Sequence, residues 1–379
     1  MKFTVNRATF LKKLKDVQLA VSSRATIPIL TGIKLIADSE GIKMTGSNSD
    51  ISIETLLSVT DEKAGLTIEE TGQIVLQPAR FFSDIVNKLP DETFTVEVKD
   101  GVQTSITSAS SAFVINGLDA VNYPHLPEID TEQSFTLPVN LLKKIIKQTV
   151  IAVSTHESRP ILTGIHFTIE GGKLKAVATD SHRLSQRVIP IEGTENLSHD
   201  LVIPGKSLQE LTRLLDESLD EIEVTVAENQ ILFKTEDTYF YSRLLEGNYP
   251  DTNRLIPDNS STQLTLDANV LLGAVERASL LSHEGKNNVV KLTVKDNSVE
   301  ITGNSPEVGR VNEQVSFNDL NGEDMEISFN PDYLKAALTT FGPVEITVKL
   351  ISTLRPFVLV PSEDNDEFIQ LITPIRTAS

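Results

Sequence analysis

One phrase of this chain is written twice. Residues 20–33 read Ala-Val-Ser-Ser-Arg-Ala-Thr-Ile-Pro-Ile-Leu-Thr-Gly-Ile, and residues 152–165 read Ala-Val-Ser-Thr-His-Glu-Ser-Arg-Pro-Ile-Leu-Thr-Gly-Ile. The two prolines, Pro28 and Pro160, stand 132 positions apart. A period of that length is a whole domain, not a solenoid unit. The surroundings of the phrase return a third time in worn form, and 379 residues hold three such units and no more.

Each copy opens with a strand pattern, at Phe3-Thr4-Val5, Phe135-Thr136-Leu137 and Leu264-Thr265-Leu266. An amphipathic helix follows, with apolar residues three and four apart. Phe10, Leu14, Val17 and Val21 mark the first. Leu142, Ile145 or Ile146, Thr149 and Val153 mark the second, and Leu271, Val275 and Ala278 the third. Asn6, Asn140 and Asn269 are the expected N-caps. A second helix is expected about 60 residues later in each copy, with Pro78, Pro204 or Pro331 near its start, where a missing N–H costs nothing. Leu89-Pro90 and Gly342-Pro343 end it in copies one and three. The strand patterns 94–98, 222–226 and 344–348 come next, and copies one and two finish on Tyr123-Pro124 and Tyr249-Pro250. The fold class read from this is α+β: three repeated domains, 1–127, 128–253 and 254–379, each with two helices packed on antiparallel sheets.

The chain has no Cys and no Trp. Disulfides, Cys-ligated zinc and thiol catalysis are excluded. No run reaches the ~18 apolar residues of a membrane span. Met1-Lys2 leads into a strand and a lysine-rich helix instead of an apolar signal core. A soluble cytoplasmic protein is expected. The formal net charge of −19 argues against a simple electrostatic nucleic-acid binder. Yet the stretch 7–24 carries Arg7, Lys12, Lys13, Lys15 and Arg24 against the single acid Asp16, and 140–150 carries Lys143, Lys144 and Lys147 with no acid. By contrast 215–228 and 361–367 are acid-rich. Lysines decorate any solvated helix face. The sharper reading is one basic surface inside an acidic shell.

No assembled reaction site emerges. Pro204-Gly205-Lys206-Ser207 resembles the end of a phosphate loop, but Asp200 stands where that loop needs glycine, so a helix start is expected. Thr179-Asp180-Ser181-His182-Arg183 crowds Asp, Ser and His together, whereas a triad needs them converging from different directions. The six histidines show no metal spacing, and each is read as a loop or surface group. Neither a metal nor a cofactor is expected.

The whole chain resembles the bacterial DNA polymerase III beta subunits, the beta sliding clamps, most of all those of low-GC Gram-positive bacteria. The resemblance rests on Arg24-Ala25-Thr26-Ile27-Pro28-Ile29-Leu30, on Ala178-Thr179-Asp180-Ser181-His182-Arg183-Leu184, on Tyr249-Pro250-Asp251 with Arg254-Leu255, and on Thr373-Pro374-Ile375-Arg376. It implies a non-catalytic processivity subunit: a head-to-tail homodimeric ring, domain 1 of one chain meeting domain 3 of the other, that encircles duplex DNA and slides. Helix geometry agrees. Six helices ~9 Å apart close a circle roughly 17 Å across, with almost no hole inside helix radii of ~5 Å. Twelve close one of roughly 34 Å with a hole of about 24 Å, and a duplex is roughly 20 Å across.

The resemblance further implies three sets of site residues. Arg24, His156, Arg159 and Lys206 match DNA-facing positions, to which the charge pattern adds Lys12, Lys13, Lys143, Lys144 and Lys147. His156 stands where other members have Gln. A pocket between domains 2 and 3 takes short peptides bearing a Gln and two apolar side chains. Those peptides belong to the polymerase III catalytic subunit, clamp-loader subunits, other polymerases and repair proteins. Its matching residues are Leu162, Thr179, Ser181, His182, Arg183 and Leu184, then Pro250, Arg254 and Leu255, then Leu354, Pro356, Leu371, Ile372, Thr373, Pro374, Ile375 and Arg376. Many members have Gly at Ser181 and Met at Thr373 and Ile375, so a stiffer, slightly more polar subsite is expected. Leu280 and Leu281 match the dimer seam, with Phe113 as the aromatic residue they meet. A three-domain peptide-binding adaptor without DNA is the alternative class.

Overall fold

The computed structural model describes residues 1–99, 101–129, 134–216, 218–284, 288–363 and 367–376, so parts of the acid-rich stretches 215–228 and 361–367 lie outside the described residues. The chain forms two compact units, Met1–Asn140 with Lys206–Leu244, and Leu141–Gly205 with Leu245–Ser379. The second repeat is thus divided between them. The reason is strand pairing between repeats. In the first unit, strand Thr238–Arg243 of repeat two pairs with Ile51–Ser58 of repeat one. In the second unit, Arg183–Pro190 of repeat two pairs with Phe368–Ile372 of repeat three. Among the described residues the resulting sheets have thirteen strands in the first unit and nine in the second, which also holds a four-stranded sheet.

The threefold repeat is visible in register. The opening strand pairs antiparallel with the strand after the second helix each time: Phe3 opposite Val96, Phe135 opposite Val224, Leu264 opposite Val348. Six α-helices lie among the described residues: α1 (Arg7–Gln18), α2 (Ala79–Lys88), α3 (Val139–Thr149), α4 (Gly205–Leu214), α5 (Ala268–Glu284) and α6 (Pro331–Phe341). Their apolar faces are the expected ones. Phe10, Leu14 and Val17 are buried on α1, both Ile145 and Ile146 on α3, and Leu271, Val275 and Ala278 on α5. Phe10 sits among Phe3, Phe82 and Phe94, with ring centroids 5.1–6.1 Å apart. Replacing it by Ala would cost about 3–5 kcal/mol.

The caps are right in one copy of three. The Asn6 side chain accepts from the Thr9 amide at 3.1 Å. Asn140 and Asn269 instead lie inside α3 and α5. Asp267 caps α5, its Oδ1 accepting from Asn269 at 2.8 Å and Val270 at 3.3 Å. The helix starts two residues earlier there because a carboxylate just before it satisfies two orphan amides. Leu89 turns extended before Pro90, as a residue preceding proline must. Gly342 ends α6 at φ 74°, a conformation glycine adopts without strain.

The twice-written phrase now has a cause. Pro28–Thr31 and Pro160–Thr163 are matching 3-10 turns, each closed by its threonine hydroxyl donating to the proline carbonyl at 2.8 and 2.7 Å. The glycine that follows meets the neighbouring strand. A Cβ on Gly32 would lie 2.7 Å from Val75, and one on Gly164 would lie 2.6 Å from Val202. The phrase is a packing device for the strand that follows it.

Candidate functional site

Three separated stretches of the second unit converge. Strand Lys173–Thr179 ends at Thr179, and strand Arg183–Pro190 begins four residues on. The turn between them is held by Asp180. Its Oδ1 accepts from the His182 and Arg183 amides at 2.9 and 3.0 Å, and its Oδ2 accepts from Arg183 Nε at 3.0 Å. The Asp, Ser and His of this stretch therefore form a turn, and the carboxylate binds backbone and Arg183 instead of orienting a histidine base. Ser181 occupies the left-handed region at φ 78°, where glycine is at ease and serine is strained. The Thr179 hydroxyl donates to the Arg183 carbonyl at 2.6 Å.

The final strand meets this turn. Thr373 donates its amide and its hydroxyl to the His182 carbonyl, at 2.9 and 2.8 Å. The Ile375 amide donates to the Ser328 carbonyl at 2.7 Å. Leu184 faces Leu371 across the strand pair. Together with Val177, Val358, Val360 and Ile369 they form one apolar cluster, with Ile256 of the linker packed against it. Leu162 and Ile372 are buried, whereas Leu255 (47 % exposed) and Leu354 (59 %) stand at the surface. Pro250, Pro356, Pro374 and Ile375 are half-buried, and Arg376 is exposed. Arg254 pairs with Asp251 at 3.0 Å.

The sequence reading missed Tyr333, on the first turn of α6. Its ring stacks with His182 (6.2 Å between centroids, 18° between planes) and carries the Arg183 guanidinium 4.6 Å above it. Burial pushes its hydroxyl pKa up, with help from the Asp180 charge. It also missed His166, which lies in a strand and accompanies Tyr249. His199 likewise lies half-buried in a strand, so the loop-or-surface reading fails for these two, whereas His283 on α5 is exposed, a surface group as expected. No linear pattern ties these residues to the turn.

The basic residues differ in availability. Arg24, Lys144, Lys147, His156, Arg159 and Lys206 are exposed, and Lys143 is half-buried. Lys12 is exposed but pairs with Asp216 at 3.1 Å. Lys13 is bound to Asp237 and only 15 % exposed, which leaves it little surface for a phosphate. Arg159 donates to the Ser181 hydroxyl at 3.4 Å. Lys206 opens α4, so that stretch is a helix start. Among the described residues no cluster of three or more His, Cys, Asp or Glu side chains is placed to hold a metal. No described helix is long and apolar enough to cross a membrane.

Phe113 and Val114 are exposed on strand Ser111–Leu118. That strand pairs fully with Gln103–Ser108 on one side, but on the other only Gly117 and Leu118 are matched, leaving the edge along 111–116 open among the described residues. Leu280 is 68 % exposed on α5, and Leu281 is half-buried. Among the described residues, strand Gly309–Gln314 is paired on one side only.

The repeat of helix pairs on antiparallel sheets defines a three-repeat clamp fold. Models of the N-terminal, central and C-terminal domains of the DNA polymerase III beta subunit match residues 1–127, 136–251 and 253–376. The beta sliding clamp of Bacillus subtilis (strain 168) is 47 % identical over 379 residues, all of both chains. The crystal structure of the DNA polymerase III beta chain of Streptococcus pneumoniae TIGR4 superposes with a TM-score of 0.97 at 44 % identity, over 99 % of this chain and all of that one. That of the Bacillus subtilis sliding clamp gives 0.96 at 47 %, over all of both. The chain belongs to the DNA polymerase III beta subunit family, the beta sliding clamps. Its function is that of a DNA sliding clamp, a processivity factor and not a catalytic enzyme.

Proposed function

We propose that two copies of this chain close head to tail into a ring around duplex DNA. In that ring 1–127, 128–253 and 254–379 act as three domains. The ring tethers the polymerase III catalytic subunit, clamp-loader subunits, other polymerases and repair proteins through the surface formed by the 180–182 turn, the linker and the last strand. Its place is the cytoplasm, at the nucleoid. The observation that carries this is the convergence of those three stretches around an apolar cluster, with polar turn atoms beside it. Apolar anchors with a few fixed polar groups are what a short peptide needs.

The seam is the open edge at Phe113 from one chain and the α5 end at Leu280 and Leu281 from the other, with the edge Gly309–Gln314 held to α5 by Arg277 and Glu313. An open edge bearing exposed apolar side chains is a liability unless covered, and two copies of such a contact related by a twofold axis close a ring. Arg24, Lys12, Lys143, Lys144, Lys147, His156, Arg159 and Lys206 face the duplex, and Lys13 chiefly braces α1. Basic helices soften the repulsion between an acidic protein and phosphate without tight contacts that would stop sliding.

The test is to load the protein onto nicked circular DNA with its ATP-driven loader and then cut the circle. Release on cutting is expected of a topological link. Retention on linear DNA would replace the ring with direct affinity. Leu281→Asp should give monomers in light scattering, and an unchanged dimer mass would remove Leu281 from the seam.

A further inference from the structure

We propose that His166 is a positioning residue of the partner-peptide surface, acting through Tyr249 on Thr179. The inference rests on the reading that the 180–182 turn belongs to that surface. His166 Nε2–H donates to Asp200 Oδ1 at 2.8 Å, from strand Gly164–Glu170 to strand Ser198–Pro204. The imidazole lies over the Tyr249 ring, 4.8 Å between centroids and 26° between planes. The Tyr249 hydroxyl accepts the Thr179 amide at 3.0 Å, and Thr179 Oγ1 accepts the Ser181 amide at 3.2 Å while donating to the Arg183 carbonyl. The contacts thus run from Asp200 to Thr179 in three steps and to the turn in a fourth. Nearby on the same sheet, Lys175 donates to Asn253 at 2.5 Å, and burial lowers its pKa. Burial pushes the Tyr249 hydroxyl up to about 12, so it stays neutral and keeps its proton.

The first repeat provides the internal control. Tyr123 ends that repeat as Tyr249 ends the second, and its hydroxyl donates to the Thr45 carbonyl at 3.4 Å. The strand positions matching His166 and Asp200 there are Lys34 and Gln73, which offer neither a ring nor a charged acceptor. A tyrosine reaching back to the strand is therefore common scaffold. Of these two copies, the His–Asp brace belongs to the one whose strands carry the Val177, Leu184 and Leu371 cluster. A linker tyrosine free to swing would have to be ordered on binding, and ordering it beforehand raises affinity.

The experiment uses the full-length clamp and a fluorescein-labelled peptide bearing a Gln and a Leu-Phe pair, with binding read by polarisation and Thr179 amide protection by hydrogen exchange. His166→Ala should weaken binding by about tenfold and speed exchange at Thr179 in the free protein. His166→Phe, which keeps the ring stack, should restore most of both, and Asp200→Asn should fall between. Wild-type exchange at Thr179 or wild-type affinity in His166→Ala would overturn the proposal. If the Ala variant does not fold, Asp200→Asn decides alone by the same two readings. Peptide binding that ignores Leu184→Ser would overturn the pocket assignment instead, independently of His166.

Discussion

After each of the first two repeats a Tyr-Pro pair leads the chain onward, beside a turn built in the same way. Asn48 Oδ1 accepts from the Asp50 and Ile51 amides at 2.8 and 2.9 Å, just as Asp180 accepts from His182 and Arg183. Ser52 faces Tyr241 across one strand pair and Leu184 faces Leu371 across the other. What lines the two places differs. The first is a cleft of about 440 Å³ with Lys34, Thr45, Glu54 and Tyr241 among its walls, and Thr45 donates to Glu54 at 3.0 Å. The second has Val177, Leu184 and Leu371 at its floor. The backbone is a property of the repeat. On the function proposed above, peptide binding is a property of a handful of side chains placed on one copy of it, as function grafted on a fold should be.

The largest effect should come from making the second place like the first. Leu184→Ser removes the centre of the apolar cluster and should cost about 3–4 kcal/mol of stability. It should also lower peptide affinity by more than about tenfold. The reciprocal Ser52→Leu should gain no binding, because Asp50 and Ile51 stand where His182 and Arg183 are needed; polarisation and thermal melts check both. Next is the tyrosine. Tyr249→Phe and Tyr123→Phe should each cost about 1 kcal/mol in stability, but only Tyr249→Phe should weaken peptide binding, by about fivefold. Equal effects of the two on binding would erase the distinction. Thr373→Met with Ile375→Met should leave the best peptide nearly unchanged and flatten the ranking of anchor residues, since methionine adapts to several shapes. A panel ranked as for the parent chain would show that these two positions do not set preference.

The smallest effect lies on the helices. Asp16 of α1 stands where α3 has Gln148, whose backbone carbonyl accepts from Ser185 and Gln370. Burial raises the Asp16 pKa from 3.8 to about 6, only partly offset by Lys13 and Lys12. The folded chain therefore takes up this proton before the unfolded one, so stability rises as pH falls from about 6 toward 4, and the penalty is complete above 6. Asp16→Gln should raise the melting temperature at pH 7.5 and lose that advantage by pH 4. A gain that is flat with pH would assign it to packing.

Periodicity made the helices legible, because Phe10, Leu14 and Val17 must share a face to be buried at all. The opening strands were legible as apolar-polar alternation, but which strands they pair with was not. The division into two units was not, since nothing local to Thr238–Arg243 or Ile51–Ser58 announces that they pair. Lys13 read as a free cation because its partner Asp237 lies 224 positions away. The turn residues of the candidate site were legible through the family resemblance. Tyr333 and His166 were not, because each reaches the turn only by folding from another element. Asp267 shows the limit of cap reading: Asn269 is as good a cap by type, and only the start of the strand-to-helix turn decides between them.

The most direct measurement is the calorimetric titration of the full-length clamp with the Gln, Leu-Phe peptide, done in parallel on Leu184→Ser. One site per chain, lost in the variant, is the result expected if only the second copy of the shared backbone carries the peptide surface. Two sites per chain, or one that survives in Leu184→Ser, would contradict it.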